Sequence, residues 1–404
     1  MTILKGHIVQ REQTKRQPHV RELDLLRLCT ASSVVTIHVL SFTAVLNHAE
    51  WGVQLQNAFV TALHYSREIF LFVTAFALVY VYYHAYENRP FPLKKFWMKR
   101  GMGILLPYTI WSLFYTWLGQ GTDNYLQKAL YNLLTGSGFY HLYYIILTLQ
   151  FYLLLPLFLL FLRRFGRHPW KILAVSFTFQ IVLLVFDYYI MQHDGISSPF
   201  WDAIGPYKAR FFLFYQFYFV LGGITALYFR QMRDFVLKHS RLITGCLIGT
   251  LALLWAHYVL QIHVFGKSIN YASSVLQPLM ALYVTAALLF AFWLACRWVQ
   301  KSPPGQPPKG ANFVHLIAKS SFGIYLLHPL VLNEVQRWIM PYIPADFPVA
   351  ISVILIGIFT LCTSTALSIL LLHTPLACRL IGRDTPAPRS GKAIQAVPAS
   401  QRSA

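Results

Sequence analysis

RELDLLRLCTASSVVTIHVL, residues 21–40, decides how the chain is read. The run from Leu25 to Leu46 is apolar enough to enter a bilayer, yet Asp24 and Arg27 stand at its start and His38 lies further along. A helix that only anchors a protein has no use for an imidazole at that depth. Arg27 and His38 are 11 residues apart. At about 100° per residue this is close to three full turns, so both share one helix face, about 16 Å apart along the axis. Asp24 sits one turn below Arg27 and can pair with it. The face offers a cation near one membrane surface and a titratable nitrogen deep inside, which suits a ligand that threads in and presents a reactive end to the imidazole. The bland alternatives are an Arg27 that snorkels to the headgroups and a His38 that hydrogen-bonds two helices together.

The rest of the composition agrees with a membrane setting. The 404 residues are 56% hydrophobic and 12% charged, against about 25% charged in a soluble domain. A net charge of +20 would suggest nucleic acid in a polar chain. Here the apolar excess makes a lipid bilayer the partner and nucleic acid none, because basic loops then serve to orient the spans. The first 20 residues are polar and basic and show no cleavable signal, so the first apolar run reads as a signal anchor. The five cysteines show no CxxC spacing and are expected as free thiols, with no metal.

Ten stretches reach the roughly 20 apolar residues a spanning helix needs: 25–46, 59–84, 102–119, 140–162, 170–190, 211–229, 242–261, 276–298, 313–333 and 348–373. The expected fold is therefore all-α and polytopic, with about ten transmembrane helices and both termini cytoplasmic. Of the 34 Lys and Arg, that topology puts 27 inside, 5 outside and two, Arg27 and Arg67, within spans. So strong a bias is a positive-inside signal. Residues 1–20 form a cytoplasmic segment and 21–375 the membrane domain. Residues 376–404, polar and rich in Pro and Ala from 384 on, read as a disordered cytoplasmic tail. KSPPGQPPKGAN, 301–312, reads as a mobile connection, since its prolines cannot continue a helix.

Ionisable residues inside spans usually face a protein interior or a wet cavity. HYSREIF, 64–70, places Arg67 and Glu68 at the depth of His38, with His64 one turn from Glu68 and able to touch it. This is a structural network, a support for the imidazole, or both. His141, Asp187, His257 and His328 fall in the same half of their spans and together suggest a polar cavity. His328 precedes Pro329, whose ring frees backbone carbonyls. PLKKFWMKR, 92–100, is mostly orienting charge, yet beside Arg27 it could hold phosphates.

RELDLLR followed, after ten intervening residues, by His38, FWMKRGMGILLPYTIWSLFY (96–115), GFYHLYYIILTLQFYLLLPLF (138–158) and SSFGIYLLHPLVL (320–332) together resemble the membrane acyltransferase 3 family, over about 21–375. The 138–158 stretch looks most like the branch of the intercellular-adhesin polysaccharide proteins of Gram-positive bacteria. The resemblance implies an enzyme of the cell membrane that takes an acyl group from cytosolic acyl-CoA, acetyl-CoA above all, with succinyl as the other acyl group considered. The acceptor is a hydroxyl of a cell-surface carbohydrate, and polysaccharide synthesis proteins are further partners it suggests. Arg27 and His38 match the family's first-span pair, and Lys99 and Arg100 its basic residues before span 3. Two positions depart from the pattern. Gly103 stands where the family often has a basic residue, and Thr74-Ala75 where it often has Ser-Gly.

The expected catalytic residues are thus His38, as general base or acyl carrier, with Arg67 and Glu68 supporting it. The expected donor-binding residues are Arg27, Asp24, Lys99 and Arg100. The competing class is an exporter of the polysaccharide itself. Paired broken helices would favour it, and the sequence shows no such pair.

Overall fold

The computed structural model describes residues 18–86, 90–192, 199–303 and 305–383. Among them every regular element is helical. The helices are α1 (Arg21–Thr43), α2 (Glu50–Leu63), α3 (Tyr65–Tyr82), α4 (Leu93–Gln120), α5 (Tyr125–Thr135), α6 (Tyr143–Phe165) and α7 (Pro169–Val185). They continue with α8 (Pro199–Ile204), α9 (Gln216–Leu227), α10 (Phe229–Lys238), α11 (Ser240–His263) and α12 (Ile269–Ala272). The last three are α13 (Pro278–Gln300), α14 (Ala311–Trp338) and α15 (Val349–His373).

Among the described residues, eight stretches are long and apolar enough to cross a membrane, where the sequence suggested ten. The other two differ for physical reasons. Residues 102–119 lie in α4, whose interior Pro107 and many Gly, Thr, Trp and Tyr residues dilute its apolar character. Residues 211–229 are broken: Phe212–Leu227 meets Phe229–Lys238 at 102°, and counts as a ninth crossing if the pair is one span. The break falls at Tyr228, whose hydroxyl donates to the Gly166 carbonyl at 2.9 Å. A proline at the first position, where its missing N–H is no loss, opens α7 and α13.

Two packing arrangements position the interior. Helix α1 packs most closely against α14 and α3 and also meets α2, α13 and α15, so it is surrounded by other helices. Helix α3 packs closely along α9, and Gly222 permits it: a Cβ there would run into the Phe72 carbonyl oxygen and stand 3.0 Å from the Ala75 Cβ. Gly222→Ala is therefore expected to force the two helices apart, at about 1–3 kcal/mol for an overpacked core site. Thermal unfolding in detergent should show a lower midpoint, while Gly245→Ala, where a Cβ meets nothing within 4 Å, should not.

The chain beyond the last span does not behave as the sequence suggested. Residues expected as the start of a disordered tail form a 3₁₀ turn, Ala377–Ile381, with Cys378 and Ile381 buried. The Trp111 indole donates to the Leu380 carbonyl at 2.9 Å. Gly382 has φ +69° and sits against the Gly103 carbonyl so closely that no side chain fits. Residues 1–17 and 384–404, which make up most of the two expected terminal segments, lie outside the described residues. The connection between α13 and α14 runs as turns, with the Trp298 indole donating to the Lys309 carbonyl at 3.2 Å. All five cysteines are free.

Candidate active site

Two cavities meet inside the bundle. The larger, about 510 Å³, opens at the end of α1 that carries Arg27. Arg27, Lys99, Arg100 and Arg383 line it together with Thr74, Tyr144, Tyr152 and Tyr325. The smaller, about 70 Å³, is lined by His38, His64, Arg67, His141 and Tyr143. Phe70, Tyr144 and Tyr325 line both, so the basic cavity narrows through an aromatic collar to the histidines.

The shared face of Arg27 and His38 is thus real in three dimensions: one residue borders each cavity. His38 stacks on His328 with ring centroids 5.2 Å apart, and His328 meets the His141 ring at 5.5 Å. Tyr140 covers the other side of His38 at 4.5 Å. His328 is fully buried and its Nδ1 lies 3.1 Å from the Ile324 carbonyl. A carbonyl only accepts, so Nδ1 carries the proton and Nε2 presents a lone pair. That Nε2 and both His141 nitrogens have no protein partner among the described residues. Helix α14 passes through Pro329 as one element, and the Tyr115 hydroxyl donates to the nearby Leu326 carbonyl at 2.6 Å. The Tyr325 hydroxyl donates to the His141 carbonyl and fixes the loop that carries that ring.

Arg67 and Glu68 are both buried and paired. Glu68 Oε1 accepts from Arg67 Nε at 3.1 Å and from Nη2. The guanidinium also lies 4.4 Å over the Tyr215 ring and donates to the Tyr143 hydroxyl at 3.4 Å. Arg67 reaches the small cavity, while Glu68 stands behind it and lines neither cavity. Glu68 therefore holds Arg67 and does not face the space itself. His64 could touch Glu68 by its spacing, but it is turned back to α2 instead. Its Nδ1 is taken by the Val60 carbonyl at 2.6 Å.

At the basic end, Lys99 and Arg100 line the cavity and Arg100 lies 5.9 Å over the Tyr152 ring. Asp24 does not join them. It is buried outside the cavity, 3.8 Å from Arg27, with its second oxygen held by His19 and His315. A carboxylate in that position orients Arg27 and is poorly placed for a ligand of its own sign. Arg383 was not foreseen, because it lies beyond the last apolar run. Burial first, and then the neighbouring Arg27 charge, lower its guanidinium below the ordinary arginine range. It donates to the Lys319 carbonyl at 2.6 Å. The Gly103–Gly382 contact explains one departure from the family pattern. A residue without a side chain at 103 admits the terminal turn, and the turn brings Arg383 into the cavity wall. The other departure also has a structural place, since Thr74 faces the cavity and Ala75 faces α9.

The wider polar group splits. His141 and His328 join His38, but Asp187 and His257 do not. Asp187 pairs with Lys208 at 2.8 Å, and His257 lies 3.0 Å from Gln261 Nε2 and against Tyr188. Equal depth in a membrane does not fix which way a helix is turned.

The model of one family, described as an acyltransferase domain, matches residues 20–373. No curated protein and no solved structure matches the chain. Matched over most of its length, and with eight membrane-length apolar helices among the described residues, the chain belongs to the acyltransferase 3 family and is a multi-pass membrane acyltransferase that moves groups other than aminoacyl groups.

Proposed function

We propose that the protein is an O-acyltransferase of the cell membrane that takes an acetyl or succinyl group from cytosolic acyl-CoA and delivers it to a hydroxyl of an extracytoplasmic carbohydrate. One observation carries the reading: a cavity of about 510 Å³ walled by four cationic side chains narrows through aromatic rings onto His38. Phosphates of the donor suit Arg27, Lys99, Arg100 and Arg383, since guanidinium groups bind phosphate bidentately and lysine adds a point charge. The Lys/Arg bias of the loops supports a cytosolic mouth for that cavity. The extended arm of the donor would then place its thioester carbon at the collar. The likeness to the intercellular-adhesin branch supports a polysaccharide acceptor.

Two chemistries fit the imidazole. As general base, His38 takes the acceptor hydroxyl proton while that oxygen attacks the thioester carbon, the C–S bond breaks, and the thiolate leaves and is protonated. As carrier, its ring nitrogen attacks the thioester carbon, the C–S bond breaks and the thiolate leaves; the acceptor hydroxyl oxygen then attacks the acyl-imidazole carbon, the C–N bond breaks, and the departing imidazole takes up the hydroxyl proton. Arg67 is the cation nearest the developing oxyanion in either case. The exporter reading would gain from a second bent helix pair in a corresponding position. Among the described residues one such pair is found.

Mass spectrometry of surface carbohydrate from cells with and without the protein tests the reading. An acyl mass increment present only with the protein is expected. Unchanged acylation with a changed amount of polymer would instead point to export. Arg383 gives a narrower test on purified protein. Arg383→Ala should raise KM for acyl-CoA about tenfold with kcat nearly unchanged, as for loss of one charge-assisted phosphate contact.

A further inference from the structure

Away from both cavities, His19 and Asp24, five residues apart, meet His315 from α14, 291 residues beyond Asp24, at the Arg27 end of the bundle. His19 Nε2 lies 2.6 Å and His315 Nδ1 2.9 Å from the same oxygen of Asp24. The ligand atoms all fall within 4.8 Å of one another. The two rings meet edge to face with centroids 5.2 Å apart. Asp24 is buried, whereas the His19 and His315 side chains are 54% and 56% exposed. We infer that His19, Asp24 and His315 form a binding site for a divalent transition-metal ion of the zinc type.

The donor set supports this class of ion. Two imidazole nitrogens and one carboxylate oxygen are a recurrent three-ligand set for zinc, with the fourth position left to water. Hard ions such as magnesium prefer all-oxygen shells. Zinc–ligand bonds of about 2.0–2.2 Å set tetrahedral ligand atoms about 3.3 Å apart. Each imidazole therefore has to retreat by about half an ångström, which two exposed rings can do while the buried carboxylate stays in place. The protons balance without net release from neutral rings. Each nitrogen now facing Asp24 gives up its hydrogen, and each ring carries it instead on the nitrogen turned to solvent.

The site would do two things. It would join the segment before α1 to the first turns of α14, the two helices that carry His38 and His328. It would also claim charge from the carboxylate that stands 3.8 Å from Arg27, leaving that guanidinium freer toward the cavity. Glu22, Arg21 and Arg233 are the other charges in electrostatic reach of this corner.

Titration of the purified full chain in detergent with Zn2+ alone, followed by calorimetry, tests the inference. Saturable uptake is expected in wild type and in His328→Ala, and at least about tenfold weaker uptake in His19→Ala and in His315→Ala. Both altered rings are surface side chains, so the fold should hold, and unchanged thermal midpoints of the metal-free variants would show it. Cobalt(II) in place of zinc should give the visible absorption of a four-coordinate site in wild type and in His328→Ala, and not in His19→Ala or His315→Ala. Uptake equal in wild type and both variants would overturn the inference. So would uptake lost in His328→Ala and kept in His19→Ala, which would move the ion to the buried histidines. Absence of uptake at micromolar zinc would leave the cluster as a pair of hydrogen bonds and equally overturn it.

Discussion

His38→Ala is expected to reduce acyl transfer by about 10²–10⁴-fold, the range over which a positioned general base acts, while the protein still inserts and keeps its unfolding midpoint. The argument rests on where the ring sits. It borders the small cavity, stacks on His328 at 5.2 Å and is covered by Tyr140 at 4.5 Å. Truncation removes part of a ring stack and adds room to a cavity that already exists, so the stability effect should be small beside the effect on rate. Thiol release from acyl-CoA, measured with and without acceptor, separates the two chemistries. A base variant loses transfer to the acceptor, whereas a carrier variant also loses any acyl group trapped on the protein. A variant with full activity would remove His38 from the mechanism.

The second large effect concerns stability. Glu68→Ala leaves the Arg67 guanidinium without its counter-charge in a buried place, and breaking one side of such a pair typically costs about 3–5 kcal/mol. The Tyr215 face and the Tyr143 hydroxyl remain, but neither neutralises the charge. A clear drop in the thermal midpoint is expected, with poor expression. Replacing both residues, as in Arg67→Met with Glu68→Leu, should restore much of the stability, because paired removal leaves no stranded charge. Activity should not return with it if Arg67 faces the reacting carbonyl oxygen. A single Glu68 variant as stable as wild type would show that the pair contributes little to holding the bundle.

How far the sequence could be read follows from geometry. Arg27 and His38 share a helix, so their common face could be worked out from the angle per residue, and the structure keeps it. Arg67 could be matched to His38 by depth alone because both spans are well bounded. The same argument grouped Asp187 and His257 with the cavity, where depth agreed and helix rotation did not. The stacking of His38, His328 and His141 depends on how α1, α14 and the loop before α6 are turned toward one another, which no local pattern encodes. Asp24 was placed with the donor site for its spacing to Arg27, but its second oxygen is held by nearby His19 and by His315, which arrives from α14 291 residues later and which no local pattern could supply. Arg383 lay hidden for a different reason. Its segment, LACRLIGR (376–383), is too short to span and runs straight into a polar, Pro-rich stretch, so it was read together with that tail. Its burial comes from Gly103 and Trp111, some 270 residues earlier in the chain.

That last contact bears on where the protein can be cut. The family match ends at residue 373, and the last apolar helix ends there too. A shortened chain stopped at that boundary would contain every span and every histidine of the cavity, yet lack Leu380, Gly382 and Arg383. It would leave Trp111 without its acceptor and the mouth of the larger cavity without one wall. Anyone choosing a fragment for expression should therefore carry the chain through residue 383, and treat the ten residues after the final span as part of the enzyme.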